Sequence, residues 1–131
     1  MRPMFSSLDF IYTPTADVDA TTDHYVRALG AELRWKVRAM GTTVAAVRVS
    51  DGGPLILLAG HLHGEAPILV YRTDDYARTT AELLAAGVEL DEFEIPHGPC
   101  AAFRAEGGQP FAVYALTRPE AATQFDGRID P

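Results

Sequence analysis

Two histidines and a glutamate lie close together in one polar segment, and these side chains are ones that bind metal ions. His61 and His63 are two residues apart, and Glu65 follows two residues later. Imidazole and carboxylate groups are common ligands of zinc and other transition metals. The segment reads as a loop between Gly60 and Pro67, where such residues are more often polar surface. We therefore predict polar surface here, although the sequence leaves open whether these histidines ever bind a metal.

Residues that support nucleophilic or acid–base catalysis give weaker signals. Cys100 has no evident base or orienting carboxylate beside it in the sequence, as is usual for an inert cysteine. Asp91, Glu92 and Glu94 are candidates for paired acid–base carboxylates, but three acids on the flank of one strand are more often solvated. His97 lies in a Pro/Gly-rich turn and is predicted to face solvent.

Length and composition indicate one globular domain over residues 1–131, with 47% hydrophobic and 22% charged residues. The formal net charge is −7 and no basic stripe is present, which argues against nucleic acid and anionic membranes as partners. No apolar stretch approaches the ~20 residues of a membrane helix, and the first residues lack the apolar core of a signal peptide. A single cysteine makes the reducing cytoplasm the expected location.

Periodic patterns of apolar residues predict the same order of elements, β-α-β-β-β, in two halves of the chain. The first helix begins after Asp17, a good N-cap, and ends near Gly30. The second begins after Asp74 or Asp75 and ends at Gly87. The predicted strands cover residues 8–13, 35–40, 42–49, 55–59, 68–73, 92–95, 101–105 and 111–116.

The two halves also share a few identical residues at corresponding positions. Gly30-Ala-Glu-Leu33 corresponds to Gly87-Val-Glu-Leu90, and Asp17 corresponds to Asp75. Because an internal repeat sets the architecture, we predict an α+β fold with two βαβββ modules. Two such modules, each with a helix over one sheet face, would form a curved mixed sheet around a cavity. The predicted boundaries are 8–66 for the first module, 67–118 for the second and 119–131 for a tail.

Two segments of these modules resemble motifs of the vicinal-oxygen-chelate superfamily, which includes glyoxalase I, extradiol dioxygenases and bleomycin-resistance proteins. His24-Tyr-Val-Arg-Ala-Leu-Gly-Ala-Glu-Leu33 is similar to the end of that superfamily's first helix. The segment from Gly98 to Tyr114 is similar to its closing strand–turn–strand. The likeness runs from about Leu8 to Leu116, and it implies the glyoxalase/bleomycin-resistance-like fold.

The resemblance also implies where a metal would bind. In the metal-dependent members, ligands come from the first and last strand of each module and leave coordination positions open for substrate. On this sequence those positions are Phe10, Leu57, Ile68 and Ala112, none of which can coordinate a divalent cation. Asp9 is the one neighbour with a ligating side chain. The resemblance therefore points to a metal-free branch with no cofactor.

Residues two apart on a strand share a face, and this extends the four positions into a candidate ligand pocket. On the second strand two alternate sets are possible, one with Trp35 and the other with Arg38 and Met40. The pocket would be apolar and aromatic with one or two charges, as small-molecule sites are. Alternatively, the same side chains fill the space and leave no cavity. The candidate ligand-binding residues are Phe10, Tyr12, Trp35, Arg38, Leu57, Ile68, Val70, Arg72, Phe103, Ala112 and Tyr114.

These observations favour a metal-independent small-molecule binding protein resembling the bleomycin-resistance type, which sequesters an aromatic or cationic metabolite or antibiotic. The alternative is a glyoxalase- or dioxygenase-like lyase or isomerase with an atypical site, using groups such as Glu94, His97 or Arg72. The resemblance implies a homodimer as well, and a third possibility is a module whose sheet serves only to dimerise. The sequence favours binding over catalysis and does not identify the ligand.

Overall fold

The fold is that of a computed structural model, which describes residues 3–39, 41–62 and 66–131. Within these residues the chain forms eight β-strands, two α-helices and a 3₁₀-helix. In chain order they are β1 (Ser7–Pro14), α1 (Val18–Leu29), β2 (Glu32–Ala39), β3 (Thr42–Arg48), β4 (Leu55–Ala59), β5 (Ile68–Arg72), α2 (Tyr76–Ala85), β6 (Asp91–Ile95), β7 (Gly98–Arg104), β8 (Pro110–Tyr114) and the 3₁₀-helix Pro119–Ala122. The predicted α+β class and the doubled β-α-β-β-β order are confirmed.

Both helices begin at the predicted caps. The Asp17 side chain accepts a hydrogen bond from the Ala20 amide at 3.0 Å, and Asp75 accepts one from the Arg78 amide at 3.1 Å. These bonds satisfy amides that have no partner inside a first helical turn. Gly30 ends α1 in the left-handed conformation. Neither helix has the length and apolar character needed to cross a membrane.

The chain divides into two compact units whose boundary falls within β1. The N-terminal unit contains the described residues of 10–67 together with 124–131, and the C-terminal unit contains residues 3–9 and 68–123. The predicted boundary between the modules falls between residues 66 and 67, and the boundary between the units falls between residues 67 and 68. Residues 3–9 belong with the second module, and residues 124–131 belong with the first.

In the N-terminal unit the strand order is β2-β3-β4-β1, with β1 and β4 parallel and the other pairs antiparallel. Helix α1 covers one face of these strands, where apolar side chains from helix and sheet form a buried core. Strand residues that alternate with the core members lie on the opposite, helix-free face. The core consists of Val18, Ala31, Ala45, Val47 and Leu58.

The C-terminal unit repeats this plan with the order β5-β8-β7-β6, in which β5 and β8 are parallel. Leu83 of α2 packs on Ala101 of β7 and Val113 of β8, and these three residues form a buried core between the helix and the sheet. Ala112 and Tyr114, which alternate with Val113, therefore lie on the helix-free face.

Residues 124–131 have ordered contacts that the sequence did not predict. The Lys36 amide of β2 donates to the Arg128 carbonyl at 2.8 Å, and the Asp130 amide donates to the Lys36 carbonyl at 2.9 Å. The Phe125 ring lies 5.4 Å from the Trp35 ring. The segment predicted as a tail thus extends the N-terminal sheet at its β2 edge.

Candidate functional site

Four predicted pocket residues share the helix-free face of the N-terminal unit. Trp35 is opposite Ala46 on β3, Ala46 is opposite Leu57 on β4, and Leu57 is opposite Tyr12 on β1. Trp35, Leu57 and Tyr12 therefore form one lateral row, and Phe10 lies two residues before Tyr12 on the same face. This row is apolar and aromatic, and its part in binding a ligand stays a prediction.

Arg38 and Phe103 lie on the faces that the helices cover. The Arg38 guanidinium pairs with Asp19 of α1 and donates to the Thr43 hydroxyl at 2.8 Å. Phe103 is opposite Phe111 on β8, and their rings stack 5.4 Å apart on the α2 side of the sheet. Neither residue joins the helix-free face, because Arg38 is three positions from Trp35 along β2 and Phe103 is opposite Phe111, which shares the face of Val113.

In the C-terminal unit the helix-free face brings together four of the five remaining predicted residues. Val70 is opposite Ala112 and Arg72 is opposite Tyr114, across the parallel pair of β5 and β8. Ile68 begins β5 and lines a cleft at the end of the sheet. This face differs from its N-terminal counterpart because Arg72 and Tyr114 are polar.

Asp9, the last β1 residue of this unit, is the centre of a hydrogen-bonded group on this face. Its carboxylate accepts hydrogen bonds from Arg72 Nε at 2.8 Å, from the Ser7 hydroxyl at 2.6 Å and from the Tyr114 hydroxyl. The Asp9 side chain is only 14% exposed, whereas that of Arg72 is 40% exposed. We call Asp9, Arg72, Tyr114 and the neighbouring His97 the Asp9 cluster.

The electrostatics of this cluster keep Asp9 ionised and Tyr114 protonated. Burial alone would raise the pKa of Asp9, but the hydrogen bonds from Ser7, Tyr114 and Arg72 and the charge of Arg72 lower it below its ordinary 3.8. Burial raises the pKa of the Tyr114 hydroxyl, and its bond to the Asp9 carboxylate raises it further. Asp9 is therefore a fixed anion that holds its donors, and it is a poor proton acceptor.

His97 has the properties of a proton acceptor. Its half-buried ring meets the Tyr114 ring edge-on, with 5.6 Å between centroids. Burial lowers the pKa of His97 below its ordinary 6.5; the charge of Asp9 opposes this, and the charges of Arg118 and Arg72 reinforce it. The imidazole is consequently neutral at pH 7 and can accept a proton.

The turn that carries His97 is anchored by Arg118. The Arg118 guanidinium donates to the carbonyls of Ile95 at 2.7 Å and Pro96 at 2.8 Å, and it pairs with Glu94 at 2.8 Å. The Arg118 backbone amide donates to the His97 carbonyl at 3.0 Å. Glu94, a candidate acid–base carboxylate in the sequence, is thus an exposed partner of this anchor.

Removing the Tyr114 hydroxyl tests how the cluster is held together. Because Asp9 loses a donor, Tyr114→Phe is expected to raise the pKa of Asp9 and to lower the free energy of unfolding by about 1 kcal/mol. Urea unfolding measures the stability, and NMR titration of the Asp9 carboxyl carbon measures the pKa. Tyr25→Phe on α1 is the control and should leave the Asp9 pKa unchanged, whereas an unchanged Asp9 pKa in Tyr114→Phe would contradict the bond.

Comparison with solved structures identifies the fold. Methylmalonyl-CoA epimerase from Mycobacterium tuberculosis is similar with a TM-score of 0.73 and 19% identity, over 91% of this chain and 93% of that one. A hypothetical protein from Bacillus halodurans matches with a TM-score of 0.70 and 16% identity, over 83% and 93% of the two chains. A variant of Streptomyces coelicolor methylmalonyl-CoA epimerase in complex with 2-nitronate-propionyl-CoA matches with a TM-score of 0.68 and 19% identity, over 87% of this chain and 96% of that one.

The chain has the vicinal-oxygen-chelate fold. The resemblance inferred from the two sequence motifs is thereby confirmed at the level of fold, which is all that identities of this size support. No protein-family model matches the sequence, and no curated protein matches it.

The metal positions of the vicinal-oxygen-chelate fold do not fit a metal in this chain. Phe10, Leu57, Ile68 and Ala112 have no donor atoms in their side chains. Across residues 3–39, 41–62 and 66–131, no three His, Cys, Asp or Glu side chains are grouped so that they could hold an ion. Asp9 accepts three hydrogen bonds instead.

The other sequence candidates for metal or nucleophilic chemistry are placed as follows. His61 is exposed and its Nδ1 lies 3.2 Å from the Thr42 hydroxyl. His63 and Glu65, like Met40, lie outside the described residues. Cys100 is buried, and burial raises the pKa of its thiol to about 11, so it is not a thiolate at neutral pH.

Sequence reasoning missed two members of the Asp9 cluster. The sequence indicates Asp9 only as a possible metal ligand, and it predicts that His97 faces solvent, whereas His97 is half-buried against Tyr114. The available signal was the pair of charged residues, Asp9 and Arg72, on strands that are otherwise mostly apolar. A buried charge requires a partner of opposite charge, so each of the two predicts the other.

Proposed function

We propose that this chain catalyses proton transfer on a small carbonyl-containing anion at the Asp9 cluster, as an isomerase or lyase. The observation that carries the proposal is the partly buried grouping of a neutral imidazole, a guanidinium and a carboxylate–phenol pair on one helix-free face. A positioned base next to a cation is what proton abstraction beside a carbonyl needs.

His97 is the base in this proposal. It takes the proton from the carbon next to the substrate carbonyl; the C–H electron pair becomes the C=C bond of an enolate, and the carbonyl π pair moves to oxygen. The imidazolium then returns a proton to a carbon of the enolate system as the enolate collapses. Return to a different carbon moves the C–H bond, and inversion at the same carbon requires the planar enolate to turn so that its opposite face meets the imidazolium. In a lyase, the enolate instead expels a leaving group with its electron pair.

Arg72 binds the negative charge of the substrate. Its Nε is occupied by Asp9, but the partly exposed side chain leaves the guanidinium accessible to a carboxylate or to the enolate oxygen. Asp9 and Tyr114 are positioning residues: they fix Arg72, and their burial keeps that arrangement rigid.

The fold comparison supports an isomerase over a protein that only binds. The similar structures include several methylmalonyl-CoA epimerases, one of them in complex with methylmalonyl-CoA and NH4+. That ligand is an anion with a carbonyl group, the class of molecule that Arg72 and His97 would take. The reaction proposed here rests on His97 as the base.

A second candidate function is metal-independent binding of an aromatic small molecule. The apolar row of Tyr12, Leu57 and Trp35 favours it, because stacked or edge-on aromatic contacts recognise planar rings. A homodimer and a cytoplasmic location go with either function and are proposed on the grounds given by the sequence.

Exchange of a substrate proton with solvent tests the proposal. The protein is incubated in D2O with methylmalonyl-CoA and a series of 2-substituted acyl thioesters, and loss of the 2-proton is followed by NMR. We expect exchange well above the buffer rate with at least one thioester. Binding of these ligands without exchange would favour the second function and overturn the first.

The pH dependence of this exchange should report His97. Because its pKa lies below 6.5, kcat/KM is expected to be level between about pH 7 and 8 and to fall about tenfold per unit well below the pKa of His97. Protonation removes the lone pair that accepts the substrate proton. A rate that stays level or rises with falling pH over the whole range in which the chain remains folded would contradict His97 as the base.

A further inference from the structure

A cleft of about 890 Å³ lies at one end of the C-terminal unit, away from the Asp9 cluster. One wall is formed by residues 86–91, which follow α2, and the other by the ends of β7 and β8 with Ile68 of β5. This volume is within the range of small-molecule sites in proteins, roughly 300–1,000 Å³. The cleft includes Ile68 and Phe103, two residues that the sequence placed in a ligand pocket.

The floor of the cleft is aromatic. Phe103 and Phe111 are cross-strand partners whose rings lie 5.4 Å apart and within 6° of parallel. Tyr71 extends the stack, with its ring 6.0 Å from that of Phe111. Val88 and Leu90 add apolar wall. Phe103 and Phe111 are half-buried, so ring surface remains available to a ligand.

The rim of the cleft is acidic. Glu89, Asp91 and Glu106 contribute three carboxylates and Arg104 one guanidinium, a net charge of −2. All four residues are exposed. Arg104 donates to the Gly108 carbonyl at 2.8 Å, and none of the three acids forms a salt bridge with another described residue. Within the described residues, no ion pair neutralises these three carboxylates.

We propose that this cleft binds a planar aromatic organic cation. The ring of the ligand would pack on the Phe103–Phe111 stack, and its positive charge would lie among the rim carboxylates. Aromatic faces attract a cation, so floor and rim select the same ligand. An aromatic anion meets the same floor but is repelled by the rim.

A metal ion is a poor alternative occupant. Glu89, Asp91 and Glu106 carry acidic side chains, but they do not converge into a group that could hold an ion among the described residues. Ca²⁺ requires six to eight oxygen ligands at short distances. Dispersed carboxylates over an apolar floor fit a diffuse organic charge better than a point charge.

Two dyes of similar ring size and opposite charge test the proposal, the cation 9-aminoacridine and the anion 9-anthracenecarboxylate. Fluorescence anisotropy with the wild-type chain should give a Kd for the cation at least about tenfold lower than for the anion, as two net charges predict. The double variant Asp91→Asn, Glu106→Gln should raise the Kd for the cation about tenfold, so that the two dyes bind with similar affinity. Glu82→Gln, an acid outside the cleft, should leave both affinities unchanged.

Phe103→Leu tests the floor separately, since it keeps apolar volume but removes the ring. With circular dichroism unchanged, affinity for the cation should fall about tenfold. Equal affinity for the two dyes in the wild-type chain, or wild-type affinity in Asp91→Asn, Glu106→Gln, would overturn the proposal. His97→Gln should leave dye binding unchanged, so this site and the proposed catalytic function succeed or fail independently.

Discussion

Replacing Gly98 with alanine is expected to lower the free energy of unfolding by about 4 kcal/mol, because strain and collision add at this position. Gly98 has φ = 152°, a conformation that side chains disfavour. A Cβ atom there would lie 2.2 Å from the Ala115 carbonyl oxygen and 2.7 Å from the Thr117 hydroxyl. The first of these is backbone, so relief requires the β6–β7 turn or the chain after β8 to move.

Gly107→Ala separates the two contributions to this loss. Gly107 also has positive φ, at 95°, but a Cβ atom there meets nothing within 4 Å. We expect a loss of about 1 kcal/mol for Gly107→Ala, from backbone strain alone. Urea unfolding of both variants measures the difference. Equal losses would show that the close approach of Gly98 to Ala115 is absent in solution.

The Gly98 change has a functional consequence because the residue follows His97. The Arg118 amide and guanidinium bind the same turn, and the turn must pass close to Ala115 to place the imidazole against Tyr114. Gly98→Ala should therefore reduce proton exchange even at temperatures where the variant remains folded, whereas Gly107→Ala should not.

Replacing Asp9 with alanine is the second change with a large expected effect. It removes the common acceptor of Arg72, Tyr114 and Ser7. A buried hydroxyl without a partner costs about 1–3 kcal/mol, and an unpaired buried charge costs more, although the exposed part of Arg72 reduces that share. We expect a total loss of about 3 kcal/mol in the free energy of unfolding.

Glu82→Ala is the matched control, because it removes a carboxylate from the exposed ion pair with Arg78 on α2. That change should cost about 0.5 kcal/mol or less. A loss of the same size for Asp9→Ala would mean that the cluster contributes no more than a surface pair. Rescue can be checked with Asp9→Asn, which keeps the shape and one acceptor oxygen but not the charge.

The stabilisation that Asp9 provides should decrease at low pH. The pKa of Asp9 is lower in the folded chain than its ordinary 3.8, so the unfolded chain binds the proton more readily. The stabilisation is therefore complete above about pH 4 to 5 and is lost as the pH falls through the folded pKa. The stability difference between the wild-type chain and Asp9→Asn should shrink over the same interval.

The secondary structure and its repetition were predictable because they depend on local signals. Asp17 and Asp75 cap helices through bonds to amides three residues away, and alternating apolar residues mark the strands. The repeat and the motif spacing also predict that Tyr12 and Leu57 lie on the same face as Phe10, but they do not choose a face for Trp35.

Faces near irregular positions were less predictable. The pairing of β2 with β3 shifts between Leu33 and Trp35, so counting by two from the start of the strand fails there. The sequence left two alternate sets on this strand, and the structure places Trp35 on the helix-free face and Arg38 toward α1. Phe103 lies on the α2 side of the sheet with its cross-strand partner Phe111.

The Asp9 cluster depends on contacts far apart in sequence, which no local pattern encodes. Asp9 is 63 residues from Arg72 and 105 from Tyr114. The family motifs indicate Phe10 as a metal-ligand position. The preceding residue, Asp9, is the one that accepts the hydrogen bonds of the cluster. The loss of metal ligands was visible in the sequence, but the group of charged residues nearby was not.

The most direct test of the Asp9 cluster as a proton-transfer centre is deuterium incorporation into methylmalonyl-CoA and related acyl thioesters by His97→Gln, beside the wild-type chain. His24→Gln is the control, an exposed histidine on α1 in the other unit. We predict that the wild-type chain and His24→Gln exchange the 2-proton at the same rate and that His97→Gln is slower by about 100-fold or more. Exchange by His97→Gln at the wild-type rate, or no exchange above buffer by the wild-type chain with any thioester, would contradict this assignment.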